Sequence, residues 1–477
     1  MRGEILAKAN QAGVLIDPEA VDYILDQKSP LEFFDSLLGS MPPDTPIITP
    51  ELLTPRATVT RPTKPAPRDE THTNIKIRKN FPTTNAKAEI ESFTRYFNDR
   101  YRKLGNILRK RIELAGAISI VHAKSKGEKV AIIAMVTASR QTTNGHRILE
   151  VEDPTGKTPI LVIKSKPELL KNAESLVFDE VVGILGTVGD NIIFCNEIIW
   201  PEIPIAKRDT QVEDDVAVAF LSDTHVGSDN FMEKNFLKMV DWLRGNKGSP
   251  EQRELAKKIS YIIVAGDLID GVGIYPHQDR ELKILDIHKQ FEKTAELFSQ
   301  FPDNIKIVVS PGNHDGVRLP QPQPPIDTIT DCLCADNIIH VSNPAQVTLH
   351  NAYDVLIYHG VSFDGMISSV PSLSSGYTQP EKVMEELLKR RHLSPSYGMD
   401  IAAEQEDRLI IDEIPNLFHC GHVHTNGYKT YRGVRLLNSG AWQSQTKYQK
   451  MLNHTPTPCK LPVLSLKSNS IQIINFQ

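Results

Sequence analysis

The 477-residue chain is poor in cysteine, in aromatic side chains and in excess positive charge. Its five cysteines, Cys195, Cys332, Cys334, Cys420 and Cys459, are scattered, odd in number and form no CxxC pair. That excludes a disulfide framework and a structural zinc site of the usual spacing, and it points to a reducing cytoplasm. No apolar run approaches the roughly 20 residues of a membrane span. The opening MRGEILAKANQAGVLIDPEA carries acidic groups and no uninterrupted apolar stretch, so it is not expected to be a secretory signal. The net charge of −5 offers no chain-wide attraction to nucleic acid, so any such surface must be local. A basic stretch from Lys76 to Arg111, including Arg95, Arg100 and Lys103, reads first as a solvated helix face.

What is present suits a multidomain globular protein, with 40% hydrophobic and 24% charged residues. Residues 1–40 read as a small helical module, with Ile5, Leu6, Ala9 and Ala12 on one face and Asp17-Pro18-Glu19 as a helix start. Gln27, Phe33 and Phe34 have the outline of a sliding-clamp peptide, but Pro30 stands where an aliphatic residue is wanted. Residues 41–87 are proline-rich, too polar to fold, and expected to be an extended, mobile linker. Residues 88–210 open with a helix and continue as alternating strands, predicting a small antiparallel barrel of OB-fold length. Its scarce aromatics, Phe178, Phe194 and Trp200, favour a structural or docking barrel over one that stacks bases. Residues 211–477 alternate buried strands (VAVAFLS, ISYIIVAG, IKIVVSPG, DVLIYHG, NLFHCGH) with amphipathic helices, the pattern of an α/β domain.

Chemistry concentrates at the ends of those strands. Asp223 and His225 stand in FLSDTHVG, Asp267 in VAGDLID, Asn313 in SPGNHD, His359 in IYHG, and His422 and His424 in CGHVH. Strand ends are where a sheet delivers side chains to a common site. Two aspartates, four histidines and one amide can hold a pair of divalent cations, and such pairs hydrolyse phosphate esters. Asp267 is placed to bridge, since each carboxylate oxygen can serve one ion. Asp270 reads as a turn or supporting group. His314 points away from its neighbour Asn313 and is assigned as general acid or transition-state stabiliser, with Asp315 orienting its imidazole. The basic helix end Lys389, Arg390 and Arg391 either complements the C-terminus of its helix or is a candidate for holding backbone phosphates.

These motifs, in this order, resemble the calcineurin-like metallophosphoesterase superfamily from about Val216 onward. The stretches DLIDGVGIYPHQ, GNHDGVRLPQPQPP, MEELLKRRHLSPSYG and AWQSQTKYQKML look like the small, proofreading subunits of archaeal family D DNA polymerases. The resemblance implies a phosphoesterase sandwich preceded by an OB barrel and a helical module. It assigns Asp223, His225, Asp267 and His424 to one metal, and Asp267, Asn313, His359 and His422 to the other. Manganese is the expected ion, with magnesium, iron and zinc as alternatives. The implied activity is 3′–5′ exonuclease action on a DNA primer end, in complex with a large polymerase subunit. The eukaryotic B-subunits related to this family have lost metal ligands, whereas this chain keeps all seven.

Overall fold

The computed structural model describes residues 2–12, 14–25, 27–40, 47–48, 73–81, 89–126, 128–206, 210, 212–402, 404–451 and 453–477. They fall into two compact units, Met1–Pro62 and Thr63–Gln477. Among the described residues no helix is long and apolar enough to cross a membrane.

The first unit holds the helices Arg2–Gln11, Pro18–Leu25 and Pro30–Ser40 around a core of Ile5, Ala9, Ala20, Ile24, Phe34 and Ile48. Leu6, expected on the apolar face, is 44% exposed. Phe34 is wholly buried in this core, so the clamp-peptide outline does not correspond to an available surface. Ile47–Ile48, inside the expected linker, pairs in parallel with Leu15–Ile16.

The second unit contains a four-layer sandwich built from two six-stranded sheets. The first runs in the order Ile338–His340, Lys306–Ser310, Ile259–Ala265, Ala217–Leu221, Lys460–Ser465, Ser470–Asn475. Its first four strands are parallel and its last two antiparallel. The second sheet runs Asn426–Tyr431, Val434–Ser439, Leu417–Cys420, Tyr353–Ile357, Ala345–Leu349, Ile75–Lys79. Period-two alternation sorts the side chains between layers. Val218 and Phe220 face Val355, Ile357 and Leu417 in the core between the sheets. Ala217, Ala219 and Leu221 face the helices Glu233–Leu243 and Ile287–Phe298 on the outside. Leu356, Phe418 and Leu436 of the second sheet pack against helix Pro380–Arg390. Local signals start these helices where the sequence suggests. The Asp286 side chain accepts from the Lys289 N–H at 2.9 Å, and Ser249 and Gln252 form a capping box before helix Pro250–Lys258.

Ile75–Lys79 corrects the linker expectation, because it is an edge strand paired antiparallel to Ala345–Leu349. Ile75 packs at the core between the sheets, while Arg78 and Lys79 pair with Glu413 and Asp412.

Five strands, Lys129–Gln141, Arg147–Asp153, Gly156–Val162, Ile192–Ile199 and Val181–Gly189, close a barrel in that order. Helix Ile90–Leu108 leads into it, and helix Pro167–Glu174 joins its third strand to its fourth in sequence. Buried ion pairs fasten barrel and sandwich together. The Arg390 guanidinium donates to Glu180 of the barrel at 2.5 Å and also pairs with Glu386. Glu180 in turn accepts from the Trp200 indole at 3.1 Å, and Lys389 Nζ lies 3.9 Å above the Trp200 ring. Arg391 donates to the carbonyls of Ile411 and Asp412. Arg390 and Arg391 are only 2% and 4% exposed. The expected phosphate-holding role of Lys389, Arg390 and Arg391 is therefore corrected: the two guanidiniums are engaged inside the protein, and the lysine covers an indole of the barrel. Arg100, from the basic stretch, is likewise buried, donating to Asp407 at 2.6 Å, and His392 meets the same carboxylate at 2.7 Å.

Removing one partner of a buried pair strands the other charge, at a cost of about 3–5 kcal/mol. Asp407→Ala, which removes the carboxylate that buried Arg100 and His392 both meet, is expected to lower the stability of the full chain by that amount in urea unfolding. A loss below about 1 kcal/mol, typical of exposed pairs, would contradict this account.

Candidate metal centre

The seven expected donors meet where the two sheets come together. Asp223 and His225 follow strand Ala217–Leu221, Asp267 follows Ile259–Ala265, and Asn313 follows Lys306–Ser310 in the first sheet. His359 follows Tyr353–Ile357, and His422 and His424 follow Leu417–Cys420 in the second. Both sheets thus point the ends of parallel strands at one spot.

Five of these residues take left-handed backbone, with φ of 52° at Asp223, 48° at His225, 53° at Asp267, 72° at His422 and 55° at His424. Aspartate and histidine tolerate this region better than most residues, but such strain persists only where neighbours enforce it. Backbone hydrogen bonds between the loops do so. Asp223 N–H donates to Gly266 O at 2.9 Å, His225 N–H to Asp267 O at 3.1 Å, and Gly421 N–H to His359 O at 2.8 Å. The glycines allow close approach. A Cβ at Gly312 would lie 2.1 Å from Asp267 Oδ1, and one at Gly421 would lie 2.4 Å from Asp223 Oδ2.

The donors form three overlapping groups: Asp223 with His225 and His424, Asp267 with His359 and His422, and His225 with Asp267 and His314. His424 Nε2 is 3.4 Å from Asp223 Oδ1, and His225 Nε2 is 3.0 Å from His424 Nε2 and 3.7 Å from Asp267 Oδ2. In the second group His359 Nε2 lies 3.1 Å from both Asp267 Oδ2 and Asn313 Oδ1. The chemistry of this set fits divalent cations. His359 Nδ1 is 2.7 Å from the Ala265 carbonyl, which only accepts, so Nδ1 carries the proton. Nε2 is left facing the Asp267 carboxylate, an arrangement that a proton or a divalent cation between them satisfies. Burial opposes a charged ring, yet Asp267 pushes His359 up to about 10, and Asp270 ahead of Asp267 pushes His225 up to about 9.

Supporting contacts are arranged as metal-ligating histidines require. His225 Nδ1 meets Asp270 Oδ1 at 3.0 Å, the supporting role read from the sequence. Gln278 and Gln443 donate to the Asp270 carboxylate. Gln449 meets His424 Nδ1 at 2.9 Å, and Asp364 meets His422 Nε2 at 3.0 Å. The sequence reading missed Asp364, Gln278, Gln443 and Gln449. All four lie in or beside the motif stretches, but none has metal-ligand spacing. His314 is 15% exposed, with Nε2 4.0 Å from Asp267 Oδ2. Its Nδ1 donates to the Asp270 carbonyl at 2.7 Å, which fixes the tautomer and leaves Nε2 free of that bond. Burial holds its pKa below the ordinary value despite Asp267.

Asp315 corrects one expectation, because its carboxylate does not meet the His314 ring. It accepts from the N–H groups of Leu268 and Ile269 at 2.8 and 3.1 Å and of Gly312 at 2.8 Å. It therefore ties the Asp267 loop to the Asn313 loop. Burial and the charge of Asp267 push this carboxyl up to about 7 despite those donors.

Gly312→Ala is expected to displace the Asp267 carboxylate and weaken manganese binding at least 10–100-fold, the loss usual when support of a metal site is disturbed. Isothermal titration calorimetry checks this, and wild-type affinity would contradict the close-approach argument.

Comparison with known proteins agrees with the resemblance in the motifs. Residues 218–428 match the family of DNA polymerase alpha/epsilon B-subunits. The DNA polymerase II small subunit of Methanothermobacter thermautotrophicus is 41% identical over 97% of this chain and 98% of its own. That of Thermoplasma acidophilum is 35% identical over 100% of this chain and 93% of its own. Among solved structures, an archaeal phosphodiesterase shares 14% identity over 54% of this chain and 99% of its own, with a TM-score of 0.28. Matched nearly end to end by such relatives, the chain belongs to the family of small subunits of archaeal DNA polymerase II, the family D replicative polymerase.

Proposed function

We propose that this chain is the proofreading 3′–5′ exonuclease of its polymerase, hydrolysing the 3′-terminal phosphodiester of a primer and releasing 5′-mononucleotides. The observation that carries this reading is the convergence of seven donors in two groups around one buried carboxylate, with His314 beside them. Asp223, His225, Asp267 and His424 would hold one divalent ion, and Asp267, Asn313, His359 and His422 the other. Manganese suits this mixture of imidazole, amide and carboxylate, as do iron and zinc, with magnesium a further candidate. When bound, such a pair activates water and offsets the charge of the phosphate. Water oxygen bonds to phosphorus as the bond to the 3′ oxygen breaks. His314 takes up a proton as the phosphate arrives and passes it from Nε2 to the leaving 3′ oxygen. Asp270 keeps the His225 ring oriented and, through its carbonyl, the His314 ring.

The large catalytic subunit is the proposed partner. The barrel, read as an OB-fold, and the outer face of the sandwich are the proposed docking surfaces, in a cytoplasmic assembly. In this reading the chain also scaffolds that subunit.

Three outcomes are expected with a 3′-mismatched primer and manganese, using the full chain with and without its large subunit. The wild type removes 3′ nucleotides stepwise. His314→Ala slows this by roughly 10²–10⁴-fold, the usual contribution of a positioned acid, while manganese binding is retained. Asp267→Asn loses both cleavage and metal binding. Unchanged cleavage by His314→Ala would remove that residue from the chemistry. Absence of cleavage by the metal-loaded wild type would leave only the scaffold role.

A further inference from the structure

Five of the seven donors, His225, Asp267, Asn313, His422 and His424, line a cleft of about 780 Å³. Its lining includes three tyrosines from separate parts of the chain: Tyr275 from the loop beyond Asp267, Tyr377 from the turn before helix Pro380–Arg390, and Tyr448 from helix Lys447–Met451. The Tyr275 and Tyr448 rings are near parallel, 22° apart in tilt with centroids 6.4 Å apart, and Tyr448 is 58% exposed. Tyr377 is fixed by its hydroxyl, which donates to Asp364 Oδ1 at 2.7 Å, and Asp364 in turn touches His422. Tyr448 is next in the chain to Gln449, which touches His424. Tyr377 and Tyr448 are thus tied to the candidate centre through single intermediates, and Tyr275 meets it through the Tyr448 ring. The rest of the lining is hydroxyl and amide groups, the site carboxylates and imidazoles, His454 and the apolar Ile274 and Val423, and none of the described lining residues is lysine or arginine.

Resting on the phosphodiesterase reading above, we propose that Tyr275 and Tyr448, with Tyr377 beside them, form a stacking subsite for the base of an unpaired nucleotide adjoining the scissile phosphate. Two features of the cleft select a base. Aromatic faces stack on any base without reading sequence, as a nuclease acting on every 3′ end requires. A described lining without lysine or arginine does not track a run of phosphates, for which those residues are the general device. Preference for frayed ends then comes from the aromatic lining of the cleft, while the metal centre treats all phosphodiesters alike.

The test compares the wild-type full chain with Y275A/Y448A and Y275F/Y448F, all loaded with manganese. The substrates are single-stranded DNA, the same backbone abasic at its 3′-terminal nucleotides, and bis(p-nitrophenyl) phosphate. Stacking losses on alanine substitution predict that KM for normal DNA rises roughly ten- to hundredfold in Y275A/Y448A and approaches the abasic value. The abasic and small substrates are then cleaved as by wild type, and Y275F/Y448F keeps the wild-type preference. Equal loss on all three substrates, or no change on any, would overturn the proposal. If the wild type hydrolyses none of them, the phosphodiesterase reading has failed separately. Fluorescence anisotropy then decides the subsite: a wild-type preference for normal over abasic DNA that Y275A/Y448A lacks supports it, and equal binding overturns it.

Discussion

The Asp267 carboxylate is 2% exposed, and it sits where the two sheets present their strand ends. A buried carboxylate costs several kcal/mol unless charge and hydrogen bonds compensate it. Here the compensation comes from both sides of the sandwich. The His314 N–H donates to Oδ1 at 2.9 Å, and His359 and His225 aim ring nitrogens at Oδ2. His359 belongs to the second sheet and His225 to the first, so this one charge requires the sheets to be in register with each other. The left-handed ligand residues, the glycines under them and the Asp315 bridge between loops follow from that need. Each brings backbone close to a group that a straight strand end would leave out of reach.

The same packing that builds the centre also connects it to the barrel. Helix Pro380–Arg390 covers the outer face of the second sheet, and its last residues reach Glu180 and Trp200. Barrel and metal centre are therefore joined through the sheet that carries His359, His422 and His424. Barrel and candidate centre belong to the same compact unit of the chain.

The donor set was legible in the sequence because strand ends announce themselves. A β-branched run followed by glycine and a ligand-type side chain is hard to produce by chance when it recurs along one domain. What sequence could not show was direction. His314 and Asp315 are neighbours, and adjacency suggested that one orients the other. The turn sends the carboxylate to three backbone N–H groups instead, and Asp270 supplies the carbonyl that holds the imidazole. The triplet Lys389, Arg390 and Arg391 reads the same whether solvent or a buried glutamate waits for it, because Glu180 lies 210 residues away from Arg390. Strand Ile75–Lys79 offers only Ile75 and Ile77 among basic residues, too little alternation to distinguish an edge strand from a linker. The tyrosines of the cleft come from three distant parts of the chain and have no common spacing to detect.

The central claim is that two cations share Asp267. Anomalous diffraction at the manganese edge, from crystals of the full chain grown with that ion, tests it most directly. Two peaks are predicted, one among Asp223, His225 and His424 and one among Asn313, His359 and His422, with Asp267 between them. A single peak, or peaks away from Asp267, would contradict it.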